Sequence, residues 1–389
     1  MLSAAAIALF LAAEGTGELG EATPASPTFR TVVSAPTPKA RDGSFSLGAS
    51  EASRQAGAAG DPARALENAP GVGRLAPSSD GLVIWGSTPA EGRVLLDGME
   101  IPALFHFGAW RSVLPAEGLR RMTLSPAAFD ASQGRAVGSV VSLESARVPR
   151  DTRRLWLASD LLDTNAGAVV PLGERGAILL TGRLGYLEAL APRLLSSEQR
   201  ALVPLPSYRD FLAKSSFAIA EGANLTVEVL GAWDSRTLSL PASSFVQALT
   251  DHRARSFARL AVAYLEASAA ESTSVLLWLG RDHAKDQQQL GLVPVATEQS
   301  AWRAGLRLAR SQSWQRQRLE WGVDGELDIS AQSRQGSLTN PPREGDLAGF
   351  PVGAEDADVV DALRGGAQGF AFRPEPQGAA PGGDQPVGP

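Results

Sequence analysis

Apolar and polar residues alternate along most of the chain between about residues 153 and 333, which is the pattern of β-strands with one apolar and one polar face. The clearest segment runs from Arg318 to Ile329. One of its faces is apolar and the other is charged, with Leu319, Trp321, Val323, Leu327 and Ile329 opposite Arg318, Glu320, Asp324, Glu326 and Asp328. The alternation predicts an antiparallel sheet, but a secreted β-sandwich shares this pattern with a membrane β-barrel.

The lengths of the connections favour the barrel. We predict about nine strands, at residues 154–162, 166–172, 177–189, 208–220, 224–237, 255–267, 273–284, 299–311 and 316–332. Short turns alternate with long loops, predicted at 190–207, 238–254 and 285–298, and an outer-membrane barrel has its long loops outside. Six of the eight Trp residues fall in this part, several near strand ends, as in an interfacial girdle. Residues 151–335 are therefore predicted to form the first strands of a transmembrane β-barrel.

A small α+β domain is predicted at residues 61–150. Asp61 can cap a short helix that has Pro62 at its first position and ends at Asn68,. Short apolar strands follow, and a tight Asp97-Gly98 turn joins two of them,. The predicted fold class is mainly β, with this small domain followed by an incomplete antiparallel transmembrane β-barrel.

The N-terminal part reads as an export signal followed by a tether. The apolar run at residues 2–13 is too short to span a bilayer and fits the core of a signal peptide, predicted at residues 1–15. Residues 16–60 are rich in Ala, Ser, Thr, Pro and Gly and are predicted to be a flexible tether. Within the tether, residues 29–35 form a single β-prone island.

Composition excludes several classes of function. The chain of 389 residues has no cysteine, which rules out disulfide frameworks, thiolate metal sites and cysteine nucleophiles. Its 36 basic and 42 acidic residues give a net charge of −6, so binding to nucleic acid is not expected. No nucleophile elbow, phosphate loop or zinc-protease motif is present,, and we therefore predict no enzymatic activity and no cofactor.

Three motifs of the small domain resemble the plug domain of a TonB-dependent outer-membrane receptor. They are the segments Ala65–Val72, Val94–Ile101 and Phe129–Val141. The residues that carry the likeness are Pro70, Gly71, Asp97, Gly98, Gly134, Arg135 and Gly138. Two positions depart from the family pattern, because Trp85 stands where a basic residue is usual and Ser139 where a second glycine is usual.

The resemblance implies energy-coupled uptake of a scarce small-molecule ligand, such as a metal chelate or siderophore, across the outer membrane. Its partners would be a TonB-type inner-membrane energy transducer and outer-membrane lipid. Thr31, Val32, Val33, Ser34 and Ala35 resemble a TonB box, and an extended segment of this kind can add as a strand to a partner's sheet edge. Charged residues would line the lumen or contact the plug, namely Arg183, Glu228, Arg303, Arg307, Glu320, Asp324 and Glu326.

The three histidines, His106, His252 and His283, are scattered, so no metal site is predicted. His106 lies in a loop where the plug of such a receptor would meet ligand, and it is the candidate ligand-facing residue.

The strand count is low for a complete receptor. About nine strands are predicted, whereas a plugged barrel has about 22. Residues 336–389 are rich in Pro and Gly and are predicted to be a loop or disordered tail. We therefore expect a truncated receptor that does not transport by itself. The alternative is an exported β-rich binding or adhesion module without transport activity.

Overall fold

The computed structural model describes residues 44–73, 81–108, 110–127, 132–196, 199, 205–240, 242, 248–290, 293–314, 317–336, 355–356 and 366–369. Of these residues, 66% lie in strands and 8% in helices. The predicted fold class is confirmed, because a small α+β domain precedes a large antiparallel sheet that does not close within the described residues. The predicted signal peptide and the TonB-box-like segment lie outside the described residues.

The small domain is built on a five-stranded sheet with the strand order β1-β6-β7-β4-β5. Strands β4 and β7 are parallel, and the other neighbours are antiparallel. Its strands are β1 Phe45–Gly48, β2 Val72–Gly73, β3 Val83–Ile84, β4 Gly92–Leu96, β5 Met99–Ile101, β6 Leu119–Ser125 and β7 Ser139–Ser145, and its helices are α1 Ala49–Ala52 and 3₁₀ turns at Pro62–Asn68 and Ala116–Gly118. Asp61 caps the first 3₁₀ helix by accepting from the Ala63 amide at 3.0 Å, as predicted.

The predicted tether ends too late in the sequence. Strand β1 pairs with β6, and α1 follows it directly, so ordered structure begins before residue 60. Leu47 is buried, and Phe45 packs against the same core. The strand is hard to predict because Gly, Ser and Ala surround these two residues, and only two apolar positions alternate with small ones.

The large sheet, here called the wall, joins nine consecutive strands in antiparallel order. They are β8 Arg154–Ser159, β9 Asp163–Leu172, β10 Gly176–Gly185, β11 Leu205–Ala220, β12 Ala223–Leu240, β13 Leu249–Ala267, β14 Glu271–Leu290, β15 Val293–Trp314 and β16 Gln317–Gly336. Within the described residues, β8 and β16 do not pair with each other.

Two short strands, β17 Glu355–Asp356 and β18 Gly366–Gly369, pair with β16 in the region predicted as a loop or tail. Among the described residues, no helix is both long and apolar enough to cross a bilayer.

The wall strands are longer than predicted. β14 reaches Leu290 and β15 begins at Val293, so most of the predicted loop at 285–298 is paired strand. The prediction ended each strand where the apolar alternation ended, but the hydrogen bonds of a ladder are made by the backbone and continue through polar sequence. The predicted loop at 190–207 also contains a helix, α2 Leu187–Leu194, which begins inside the predicted strand 177–189.

The two faces of the wall differ in exposure. On β14, Leu277 and Leu279 are about half exposed, whereas Leu276 and Trp278 are buried against the small domain. The outer face is therefore apolar and open, and the inner face packs on the small domain. Trp278 is one aromatic residue of the wall that does not belong to an outer girdle.

Gly305 on β15 makes room for the buried indole of Trp278. A Cβ at this position would lie 2.1 Å from Trp278 Nε1. We expect Gly305→Ala to destabilise the folded chain by about 1–3 kcal/mol, because the indole must move within a packed core. Urea unfolding in detergent micelles measures this change. Gly182→Ala is the matched control, because its Cβ would meet its nearest atom at an ordinary 3.6 Å; equal effects of the two substitutions would contradict the prediction.

Candidate functional site

The candidate site is the surface on which the small domain contacts the inner face of the wall. Successive side chains of a strand point to opposite faces, so every second residue of β10 to β16 lies on the inner face of the wall. Many of these residues are charged, and they meet charged side chains or backbone carbonyls of the small domain in three clusters.

The first cluster surrounds His106. Its loop is held by backbone hydrogen bonds from the His106 amide to the Arg111 carbonyl and from the Val113 amide to the Leu104 carbonyl. The imidazole is fully buried, contacts Asp234 through Nδ1, and lies 2.9 Å from Asp210 Oδ2 through Nε2.

The electrostatics of this pocket favour the imidazolium. Burial opposes protonation, but the two carboxylates of Asp234 and Asp210 outweigh it and raise the pKa of His106,. The Tyr208 ring stacks on the imidazole at 4.5 Å between centroids. His106 thus bridges two strands of the wall from the small domain.

Arg183 and Arg111 extend the first cluster. Arg183 on β10 donates to Asp210 Oδ2 at 2.7 Å and to the Ser112 carbonyl of the small domain. Arg111 of the small domain donates to Asp163 at 2.8 Å, and the Tyr208 hydroxyl donates to the same carboxylate at 2.5 Å. The buried cations and carboxylates therefore alternate across the contact.

Two arginines of the wall hold Phe107, the neighbour of His106. The guanidinium of Arg255 lies 4.7 Å from the centroid of the Phe107 ring, and that of Arg236 lies 5.8 Å from it. Arg255 also donates to the Phe105 carbonyl at 3.0 Å and to Asp234 at 2.8 Å. The loop is thereby fixed by cation–π contacts as well as ion pairs.

The second cluster joins β4 and β5 of the small domain to β15 and β16. Arg93 donates to Glu100 at 2.5 Å and to Glu326 at 2.7 Å, while Arg303 donates to Glu100 at 2.9 Å. Arg259 on β13, fully buried, donates to the Glu100 carbonyl at 2.7 Å and to Asp282 at 2.5 Å.

Arg135 belongs to the same cluster. It has a positive φ of 66° and pairs with Asp324 at 2.9 Å and with Glu326 at 2.8 Å. Arg307 donates to the same Asp324 at 3.1 Å and to the Ser132 carbonyl at 2.8 Å. The loop before β7 is therefore tied to the last strands of the wall.

The third cluster surrounds the Asp97-Gly98 turn. Both residues have positive φ, 47° and 92°, as the predicted tight turn requires. The Asp97 carboxylate accepts from the Ser145 amide at 3.0 Å and from Lys214 of β11 at 3.0 Å. Burial raises the pKa of Asp97, but Lys214 and the Ser145 hydroxyl outweigh burial, and the net shift is downward.

The remaining motif residues lie inside the small domain. The Trp85 indole donates to the Pro70 carbonyl at 3.0 Å beside Gly71, which has a φ of 75°. The Gly134 carbonyl accepts from Arg93 at 2.9 Å. A Cβ on Gly138 would meet Ser87 at 2.5 Å, so Gly138 allows a close approach within the small domain, and Gly134 is the motif position that contacts a residue of the second cluster.

Six of the seven charged wall residues predicted to line the lumen or contact the plug touch the small domain. They are Arg183, Glu228, Arg303, Arg307, Asp324 and Glu326. Glu320 instead pairs with Arg318, and both are about half exposed. The His106 partners Asp210 and Asp234 are not identifiable from the sequence alone, because strand register is needed to bring them to His106.

His106, the predicted ligand-facing residue, is buried in the structure. His106 has no exposed surface, because the two carboxylates and Tyr208 enclose it, so it does not face an open ligand space. The Nδ1 atom of His252 lies 2.9 Å from the Thr237 hydroxyl oxygen, and the Nε2 atom of His283 lies 3.8 Å from a carboxylate oxygen of Glu298. Among the described residues, no cluster of His, Asp and Glu has the arrangement of a metal site.

Comparison with solved structures identifies the fold. The chain is similar to the copper transporter OprC, with a TM-score of 0.54 and 13% identity over 80% of this chain and 50% of OprC. It is also similar to the ferric yersiniabactin uptake receptor FyuA from Yersinia pestis, with a TM-score of 0.53 and 9% identity over 84% of this chain and 61% of FyuA. No family model matches the sequence, and no curated protein is significantly similar to it. The chain has the fold of the TonB-dependent receptors and spans 50–61% of the length of these two proteins.

Proposed function

We propose that the chain supplies the plug and part of the wall of an outer-membrane receptor for energy-coupled uptake of a scarce small molecule, such as a metal chelate. In this proposal residues 1–15 are a signal peptide, residues 61–150 are the core of the plug domain, and residues 151–335 are wall. The proposed role is uptake and not catalysis. Transport requires a closed wall. Among the described residues β8 pairs only with β9, and β16 carries only the short strands β17 and β18 on its outer edge, so further strands would complete the wall at these two edges.

One observation carries the proposal. The inner face of the wall is charged and is matched, pair by pair, to charged residues of the small domain: Arg93 with Glu326, Glu100 with Arg303, and Asp97 with Lys214. The outer face is apolar and exposed. A wall with a charged, occupied inside and an apolar outside fits a plugged membrane barrel, whereas a soluble sandwich buries its apolar faces between two sheets.

The ion pairs also suit a plug that has to move. Charged contacts between two surfaces can be exchanged for contacts with water at a lower cost than a wholly apolar interface of the same area. We infer that a TonB-type transducer binds Thr31–Ala35 as an added strand and that tension on this segment loosens the clusters. The ligand class is suggested by the neighbours, which are named as a copper transporter and a ferric yersiniabactin receptor.

Crosslinking tests the transducer contact. Because the chain has no cysteine, Val33→Cys introduces a single thiol. We expect this thiol to form a disulfide with a cysteine introduced in the C-terminal domain of the transducer when both proteins are present in the same cell envelope. Ser26→Cys, outside the island on the same tether, is the control and should crosslink much less. Equal crosslinking at both positions would contradict the strand-addition proposal.

Membrane fractionation separates the proposal from its alternative. We expect the exported chain to be in the outer-membrane fraction and to need detergent for extraction, because its outer face is apolar. A chain that is recovered without detergent as a compact monomer would instead support the exported binding or adhesion module.

A further inference from the structure

Four polar atoms are buried without a hydrogen-bond partner among the described residues where the 3₁₀ turn Ala116–Gly118 meets the first strands of the wall. They are Glu117 Oε2, Trp156 Nε1, Asn165 Oδ1 and Thr181 Oγ1. Strand register brings the three wall residues together. Trp156 and Thr181 lie on either side of Gly167 in one inner row, and Asn165 is two residues before Gly167 on the same face of β9. We call these four residues the polar seam.

The 3₁₀ turn of the small domain closes against the wall at this row. A Cβ on Gly118 would lie 3.5 Å from Thr181 Cγ2, so Gly118 contacts the inner face beside Thr181, and Glu117 is its neighbour in the chain. The Trp156 ring covers Gly167, because a Cβ there would lie 2.2 Å from Cζ2 of the indole. The polar seam therefore lies between the small domain and strands β8, β9 and β10.

The chemistry of the polar seam suits ordered water. Thr181 is only 4% exposed, and buried hydroxyl groups in proteins are ordinarily hydrogen-bonded. The seam has two acceptors, on Glu117 and Asn165, one donor on Trp156, and a hydroxyl that both donates and accepts. Water satisfies buried polar groups of this kind when several of them face one site.

A cavity of about 440 Å³ adjoins the polar seam. Glu117 lines this cavity, and so does Arg154, which is two residues before Trp156 on β8. The cavity is near the end of the wall at which a short turn, residues 173–175, joins β9 to β10. Short turns face the periplasm in an outer-membrane barrel, so the cavity is on the periplasmic side in the proposed function.

Arginines from three separate segments line the cavity. Arg120 is on β6, Arg147 follows β7, and Arg154 begins β8. Arg120 also donates to Glu144. Glu117 is the one acidic residue that lines the cavity, so among the described lining residues cations exceed carboxylates by three to one.

We propose that this cavity binds a small organic anion with two or more carboxylates, and that water in the polar seam hydrates its inner end. A guanidinium offers a fork of donors that matches a carboxylate. Guanidiniums from three segments match a ligand whose charge is spread over several groups, and the cavity is large enough for a small organic molecule. The inference rests on the proposed function in one respect, because the anion is then the transported ligand on the periplasmic side.

Calorimetric titration of the full chain in detergent tests the site. The probe is propane-1,2,3-tricarboxylate at low ionic strength, and its uncharged triamide is the matched control ligand. We expect the tricarboxylate to bind and the triamide not to bind. Arg147→Gln and Arg154→Gln should each weaken binding by about ten-fold, because each removes a charged hydrogen-bond donor. Arg175→Gln, at an exposed arginine in the short turn between β9 and β10, should leave the affinity unchanged.

Hydrogen exchange locates the bound probe. The Gly118 amide donates to the Pro115 carbonyl, and the Ala146 amide donates to the Gly118 carbonyl, so both amides report on the cavity. We expect both to gain protection with the tricarboxylate. Inorganic phosphate that displaces the tricarboxylate at equal concentration would overturn the proposal, and so would equal affinity in the wild type and in the variant that combines Arg147→Gln with Arg154→Gln.

Thr181→Val tests the water in the polar seam, because it removes the hydroxyl and keeps a side chain of similar shape. We expect a lower urea midpoint, since the bound water loses a partner. A higher midpoint would show that the hydroxyl is unsatisfied in the folded chain, and it would overturn the hydrated seam. Membrane fractionation tests the proposed function separately, so a failure of that function is distinguished from a failure to bind the tricarboxylate.

Discussion

Replacing Arg183 with leucine is expected to release the His106 loop of the small domain from the wall. Arg183 is buried and pairs with Asp210, lies 4.0 Å from Asp61, and donates to the Ser112 carbonyl. Leucine leaves these acceptors without their shared cation in a site that excludes water. Loss of one partner from a buried ion pair costs about 3–5 kcal/mol, and we expect a loss of this size in the local free energy of opening.

Hydrogen exchange measures this opening at chosen amides. The His106 and Val113 amides are the probes, because they donate to carbonyls within the loop that Arg183 holds,. Arg318→Leu is the matched control. Arg318 is about half exposed and pairs with Glu320 at 2.7 Å, so its loss should change stability by less than about 0.5 kcal/mol. Comparable exchange rates in the two variants would show that Arg183 does not hold the loop.

Arg183 also shows how far the sequence predicts the site. The alternation along β10 places Arg183 on the polar face, and the resemblance predicts that such residues meet the plug. Its partners come from Asp61 and Ser112 in the small domain and from Asp210 on the next strand. These contacts depend on strand register and on the docking of two separate sheets. Neither can be read from the alternation of apolar and polar residues along a single strand.

Two elements were missed for local reasons. β1 is only four residues long and lies in a stretch of Gly, Ser and Ala, and its pairing with β6 supplies the stability that its own sequence lacks. α2 has Leu187, Leu190, Ala191 and Leu194 at helical spacing,, but the apolar alternation of β10 runs directly into it. Periodicity cannot locate a boundary where an apolar strand continues into an apolar helix.

The contact between the small domain and the wall is expected to weaken at alkaline pH at the His106 loop. The folded environment raises the pKa of His106 above its ordinary value of about 6.5,. Its contribution to stability is therefore complete below about pH 6.5 and is lost as the pH rises through the raised pKa. The groups that face the imidazole are Asp210, Asp234 and Tyr208, with Arg183 and Arg255 behind the carboxylates. Protection of the His106 and Val113 amides, corrected for intrinsic exchange, should fall over this range.

His106→Gln provides the control, because glutamine keeps a donor but does not titrate. In this variant the alkaline loss of protection should disappear, and the loop should be less protected than the wild type at pH 6. The Asp97 turn should behave in the opposite sense. Its pKa is lowered, so its contribution is present above about pH 3.9 and is lost as the pH falls through the lowered value. The Ser145 amide, which donates to Asp97, reports it separately. If the His106→Gln variant still loses amide protection in this loop at alkaline pH, another group is responsible. If the loss disappears, the titrating group is the His106 imidazole, which joins the small domain to β11 and β12.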